Sequence, residues 1–133
     1  MKDDIENILQ ASSFQIEAGR FVYAKVAQVP DADVHFMICQ DADEITVVTK
    51  EENVEGLKLI ERNKDTYKLI ALNVSVPFYS VGFLAAVSGA IAAAGMNILI
   101  VSTYSKDYIL IKDDQIENAR TALHKLGLQE IKD

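Results

Sequence analysis

The chain has 133 residues, half of them hydrophobic, and its 20 acidic against 13 basic side chains give a formal net charge of −7. That length and apolar content suffice for a substantial buried core and argue against disorder. The acidic balance, with a pI near 4.8, offers no basic patch to release counterions from nucleic acid and argues equally against binding to anionic lipid.

A single cysteine, Cys39, cannot make an internal disulfide, and the opening Lys2, Asp3 and Asp4 do not read as a secretory leader. A reducing, cytoplasmic setting is therefore the expectation. Taken in order, Asp3 to Ala11 puts Ile5, Ile8 and Leu9 on one face of a short helix. The FQIE segment, the turn residue Gly19 and RFVYAKV from Arg20 to Val26 follow as strand, turn and strand. VPDAD, from Val29 to Asp33, is a proline-containing turn. VHFMIC, the Asp41-Ala42-Asp43 turn and EITVVTK then read as a hairpin. Residues 51 to 66 carry much of the remaining charge and join the two halves, without a Gly/Ser-rich or Pro-rich linker.

From Leu69 to Ser105 there is no charged side chain. A bilayer needs only about 20 apolar residues, but this run is broken by Asn73, Pro77, Gly82, Gly95 and Asn97, with turn chemistry at VPFYSVG and AGMN. It is read as protein core in three pieces. Ile70, Leu72, Val74 and Val76 alternate with their neighbours as a strand with one strongly apolar face. Val81 to Ala94 is a helix whose stripe is Leu84, Val87, Ser88, Ile91 and Gly95, with Gly89 permitting close packing. Asn97 to Tyr104 is a short β-branched strand.

A turn at Ser105 and Lys106 leads into DYILIK, Asp107 to Lys112, closing a second hairpin. The last helix is capped by Asp113 or Asp114, carries Ile116, Ala119, Leu123 and Leu126 on its apolar face and stops at Gly127. LQEI is a short final edge strand. From Tyr67 onward the order is strand, helix, strand, strand, helix, strand. That βαββαβ unit folds as a split βαβ, ferredoxin-like sandwich with two helices on one face of an antiparallel sheet. A diverged copy lacking its first full-length helix accounts for the N-terminal strands. The expected fold is thus α+β, two ferredoxin-like sandwiches, with domains at 1–64 and 65–133.

The segment LNVSVPFYSVGFLAAVSGAIAAAGMNILIVSTYSKDYILI resembles the core of an ACT domain, most specifically through STYSKDYILI, Ser102 to Ile111. It is closest in character to the tandem ACT-like branch that includes small bacterial proteins and the amino-acid-sensing CASTOR proteins; RFVYAKV and DADEITVVTKEE extend the resemblance weakly to the N-terminal half. The resemblance implies a regulatory sensor that binds a small ligand, commonly an amino acid, at an interface between modules or subunits. It also implies a homodimer.

The positions that correspond to the family's ligand site are Pro77, Phe78, Tyr79, Ser80, Val81, Gly82 and Phe83, with Asn97 and Ile98 opposite and Asp107 on the neighbouring strand. A loop that opens a helix offers free N–H groups and the positive end of the helix dipole to a carboxylate. Asp107 then supplies an acidic contact for an ammonium group. Each position has a structural alternative. Gly82 allows either close approach of backbone to ligand or close helix-to-sheet packing. Phe78 and Tyr79 serve as ligand contacts or as subunit-interface aromatics. Asn97 is a turn residue in its own right, and Asp107 completes a hairpin beside Lys106. Two bulky aromatics stand where the family often has a small, glycine-containing loop, which points either to an apolar or aromatic ligand stacking on Tyr79 or to a ligand-free oligomerisation and protein-interaction module.

An enzyme is not expected. His35 and His124 are the only histidines; His124 sits on the last helix, where a solvated role is expected, and Ser80 and Ser88 have no neighbouring base. Cys39 reads as a small core or strand residue, and no metal spacing or cofactor motif accompanies it. Asp41, Asp43 and Glu44 lack a calcium loop and fit a hairpin turn better. With no catalytic, DNA-binding or transport segment, any output is expected to pass through a protein partner.

Overall fold

The computed structural model describes residues 2–75 and 81–132. The chain divides into two compact units, one made of residues 1–17 with 68–133 and the other of residues 18–67.

In the first unit α1 (Lys2–Ala11) and β1 (Ser13–Ile16) precede β6 (Tyr67–Asn73), α2 (Phe83–Ala93), β7 (Leu99–Ser102), β8 (Asp107–Lys112), α3 (Ile116–Leu126) and β9 (Gln129–Glu130). The strands lie in the order β9, β1, β6, β8, β7. β1 is antiparallel to β6, with Ser13 opposite Asn73 and Ile16 opposite Ile70, and β9 is parallel to β1. A plain ferredoxin-like sheet would set its last strand beside its first; here β1 stands between them. α1 and β1, read from the sequence as parts of an N-terminal domain, therefore pack with the C-terminal elements.

The three helices share one core with the sheet. Leu9 of α1, Phe83, Val87 and Ile91 of α2, and Ala119 and Leu123 of α3 are buried with Phe14, Ile70, Leu72, Ile109 and Ile111. The sandwich thus carries three helices where two were expected. In α2 the stripe is rotated toward Phe83, which is buried, while Gly95 is exposed. Gly89 meets nothing within 4 Å of an added Cβ, so it does not serve close packing. β6 is buried on both faces, since Leu69 and Ala71 are nearly as inaccessible as Ile70 and Leu72; it ends at Asn73, before the expected Val74, while Val76 lies outside the described residues.

α3 starts later than its acidic residues suggested. Asp113–Gln115 form a 3₁₀ turn, and the N-cap is Gln115 without a side-chain cap bond. Its end is as expected. Gly127, at φ 117, lets its own N–H donate to the His124 carbonyl and the Leu128 N–H donate to the Leu123 carbonyl, a Schellman closure. His124 is not simply solvated: its ring meets Phe14 edge-on at 5.4 Å and its Nε2 lies 3.5 Å from Glu130 Oε1. Arg120 Nε also donates to that oxygen at 2.9 Å, and the bonds to Glu117 first and Glu130 second hold the guanidinium more firmly in its charged form.

The second unit contains β2 (Phe21–Val26), β3 (Met37–Gln40), β4 (Ile45–Lys50), a 3₁₀ turn (Glu51–Gly56) and β5 (Leu59–Arg62). β5 was not expected from the charged 51–66 segment. The order is β3, β4, β2, β5 with every neighbouring pair antiparallel. Numbered within the unit this is 4-1-3-2, the strand order of a ferredoxin-like sandwich, yet the unit has no α-helix. Residues 27 to 36 cross without one, and the other crossover is only the 3₁₀ turn. Ala24, Val26 and Val47 are buried with Leu57 in a small core.

The β3–β4 hairpin closes as the sequence suggests: Asp41 Oδ1 accepts from the N–H of Asp43 at 2.8 Å and of Glu44 at 2.9 Å. Those two bonds hold the Asp41 carboxyl below its ordinary value of 3.8. His35 lies before β3 rather than within it, with Nδ1 2.8 Å from the hydroxyl of fully buried Thr49. Cys39 is on β3, but exposed rather than in a core. Among the described residues no helix is long and apolar enough to cross a membrane, and no group of His, Cys, Asp and Glu is arranged to hold a metal ion.

Candidate ligand site

The charge-free run ends in two elements that face one cavity of the first unit. On one side the chain enters α2 through Gly82, at φ 91 and left-handed. The first helical bond runs from the Ala86 N–H to the Gly82 carbonyl at 2.9 Å. Among the described residues no side chain caps this end, and the first turn holds no acidic residue. Helix geometry leaves the N–H groups of such a turn without intrahelical acceptors, at the positive end of the dipole.

On the other side is the β7–β8 hairpin. Ser102 is opposite Asp107 in register, and Ser102 Oγ donates to Asp107 Oδ1 at 2.6 Å. The turn between them is tied by the Thr103 N–H and Oγ1, which both donate to the Lys106 carbonyl at 2.8 and 3.2 Å. The Asp107 side chain is thereby fixed at the first position of β8.

These elements enclose a cavity of about 370 Å³ lined by Val74, Val81 to Ala85 and Ser102 to Asp107. Of the residues singled out in the sequence, Val81, Gly82, Phe83 and Asp107 are brought together there. Phe83 is at the same time a core residue, 2 % exposed. Asn97 and Ile98 do not line it: Asn97 is exposed, and Ile98 packs against the core of the unit. Pro77, Phe78, Tyr79 and Ser80 lie outside the described residues. Among the described residues an added Cβ at Gly82 would come no nearer than 3.9 Å to another heavy atom, Ile5 Cδ1. The glycine is required by its positive φ, not by close helix-to-sheet packing.

Sequence reasoning missed Ser102 to Lys106 as cavity wall. The signal was present in STYSKDYILI, the stretch most specific to the resemblance, but only Asp107 was drawn from it. That the turn faces the start of α2 depends on hairpin register, which turn residues alone do not reveal.

Residues 63–125 match the ACT domain. The ACT match takes in β6, α2, β7, β8 and nearly all of α3, and so every wall of the cavity. No curated protein matches the chain in sequence. Among solved structures, a protein of unknown function from Vibrio cholerae is 23% identical, with a TM-score of 0.80 over 95% of this chain and 98% of that one. A protein from Agrobacterium tumefaciens is 18% identical, with a TM-score of 0.72 over 92% and 93%. The regulatory subunit of aspartate kinase from Thermus thermophilus, in ligand-free form, is 13% identical, with a TM-score of 0.64 over 85% and 95%. These likenesses establish a mixed α+β fold for nearly the whole chain, within which the ACT match covers residues 63–125.

Proposed function

We propose that the chain is a regulatory sensor built from two ACT-type modules, the N-terminal one diverged, which binds an amino acid in the cavity between α2 and the β7–β8 hairpin. The observation that carries this reading is the meeting, in one cavity, of a helix start that no described side chain caps, with no acidic first-turn residue, and the Asp107 carboxylate. The first suits a carboxylate and the second an ammonium, so together they suit a zwitterion. The 4-1-3-2 strand order of the second unit supports the tandem reading and a relation to the tandem ACT branch. Likeness to an aspartate kinase regulatory subunit supports a regulatory rather than catalytic role.

In this reading the protein is a cytoplasmic homodimer without cofactor. The ligand acts by linkage: it stabilises whichever assembly it binds more tightly, and a protein partner reads the change. The test is thermal melting of the purified chain against the amino acids, with Asp107→Asn alongside. A ligand at about 100 times its Kd adds about 2.7 kcal/mol of stability, so a selective rise in Tm that the variant loses is the expected result.

A second reading, an oligomerisation module that binds no metabolite, is favoured by one feature. β7 is an edge strand of its unit and carries Ile100, 41% exposed. A folded dimer with no Tm response to any amino acid would support it.

A further inference from the structure

Val81 is 94% exposed and Tyr104 87% exposed, yet both line the same cavity, Val81 from the segment that leads into α2 and Tyr104 from the hairpin turn. A ligand that enters the cavity would cover part of this exposed apolar surface, and covering it is favourable. Behind the lip, Val74 and Leu84 also line the cavity and pack against the core of the unit, so the floor is apolar and fixed. The charged side chains of the lining, Lys106 and Asp107, are neighbours on the hairpin, so charge is concentrated at one wall.

Resting on the amino-acid reading above, we propose that Val81 and Tyr104 determine specificity at this site and select an amino acid with an apolar side chain, aliphatic or aromatic. The α-ammonium and α-carboxylate take the hairpin and the helix start, and the side chain lies over Val74 and Leu84 between Val81 and Tyr104. An acidic or basic side chain would be pressed against the apolar floor and lose water without compensation. The volume, about 370 Å³, is at the lower end of the range of roughly 300–1,000 Å³ for small-molecule sites, and suits one amino acid with a bulky side chain.

The experiment is calorimetric titration of the full chain with glycine, L-leucine, L-phenylalanine, L-aspartate and L-lysine, using wild type, Val81→Asp, Tyr104→Ser and Asp107→Asn. Val81 and Tyr104 are exposed, so unchanged melting of the free variants serves as the folding control. Leucine or phenylalanine should bind about tenfold or more tightly over glycine, aspartate and lysine. Val81→Asp and Tyr104→Ser should each cut that margin by about tenfold, the loss expected from leaving one such apolar contact unmade. Asp107→Asn should weaken every amino acid.

Tightest binding by aspartate or lysine overturns the selectivity and leaves the sensor reading standing. So does leucine binding that Val81→Asp and Tyr104→Ser leave unchanged or reduce no more than that of glycine. If none of the five binds wild type, the selectivity is overturned; the sensor reading falls with it only if the melting screen against all the amino acids is also silent.

Discussion

The two units cover their antiparallel strands differently, and only the first has an extra strand, β1, between its first and last. In the second unit the antiparallel 4-1-3-2 sheet is crossed by a helix-free stretch and a 3₁₀ turn, and its small core is Ala24, Val26, Val47 and Leu57. In the first, three helices bring Phe83, Val87, Ile91 and Leu123 down onto the sheet. The sites differ accordingly. The segment after β2 contains Pro30, Asp31 and Asp33, and with Glu52 and Glu55 it lines a hollow of about 620 Å³ that has acidic walls and no helix start. The segment leading into α2 ends at a helix start that no described side chain caps. Strand order alone does not set the character of a hollow; it depends on whether an α-helix opens onto it and on how many carboxylates line it.

The comparison breaks most readily at Phe83. If the helical layer holds the first unit together, Phe83→Ala should lower stability by about 3–5 kcal/mol, read from the midpoint of urea unfolding; a loss near zero would mean that α2 merely rests on the sheet. A smaller effect separates dihedral from packing in the same helix. Gly82→Ala should cost about 1 kcal/mol because the residue has a positive φ, although there is room for the methyl. Gly89→Ala, inside the helix with open space around it, should stabilise by about 1 kcal/mol. Equal signs for the two would refute the assignment.

The smallest effect belongs to the second unit. Asp41 titrates below its ordinary value of 3.8 because two backbone N–H groups favour its ionised form. A carboxylate whose value is depressed by folding contributes stability that is present above its unfolded value and is lost as pH falls through the folded one. The stability gap between wild type and Asp41→Ala should therefore narrow on acidification from about pH 5 to about pH 1. A gap that stays constant would show that the turn does not depend on the charge.

Much of the fold could be read from pattern. The charge-free run separates β6, α2 and β7 by periodicity and turn residues, and Gly127 ends α3 as its position suggests. β5 was hidden because Leu59–Arg62 is exposed along most of its length and alternates no clear apolar face. The intercalation of β1 was hidden for another reason: a four-residue strand carries no record of its neighbours. Of the cavity, the helix start and Asp107 were legible as chemistry. The hairpin wall was not, because it follows from which residues oppose each other across β7 and β8. Asn97 and Ile98, which the resemblance sets opposite the helix start, do not line this cavity; Asn97 is exposed and Ile98 packs against the core.

The placement of β1 between β6 and β9 has a consequence for how the molecule comes into being. Ser13 pairs with Asn73 on one side and Gln129 on the other, so the strand near the beginning of the chain is enclosed only when the strand near its end arrives. Residues 18–67 form their sheet from contiguous sequence and can close early during synthesis. The sheet of the other unit has to hold one side of β1 open until the final strand is made, and such distant pairings are slow. The topology thus allows the unit of contiguous residues to close while the unit that contains the first strand still awaits its last.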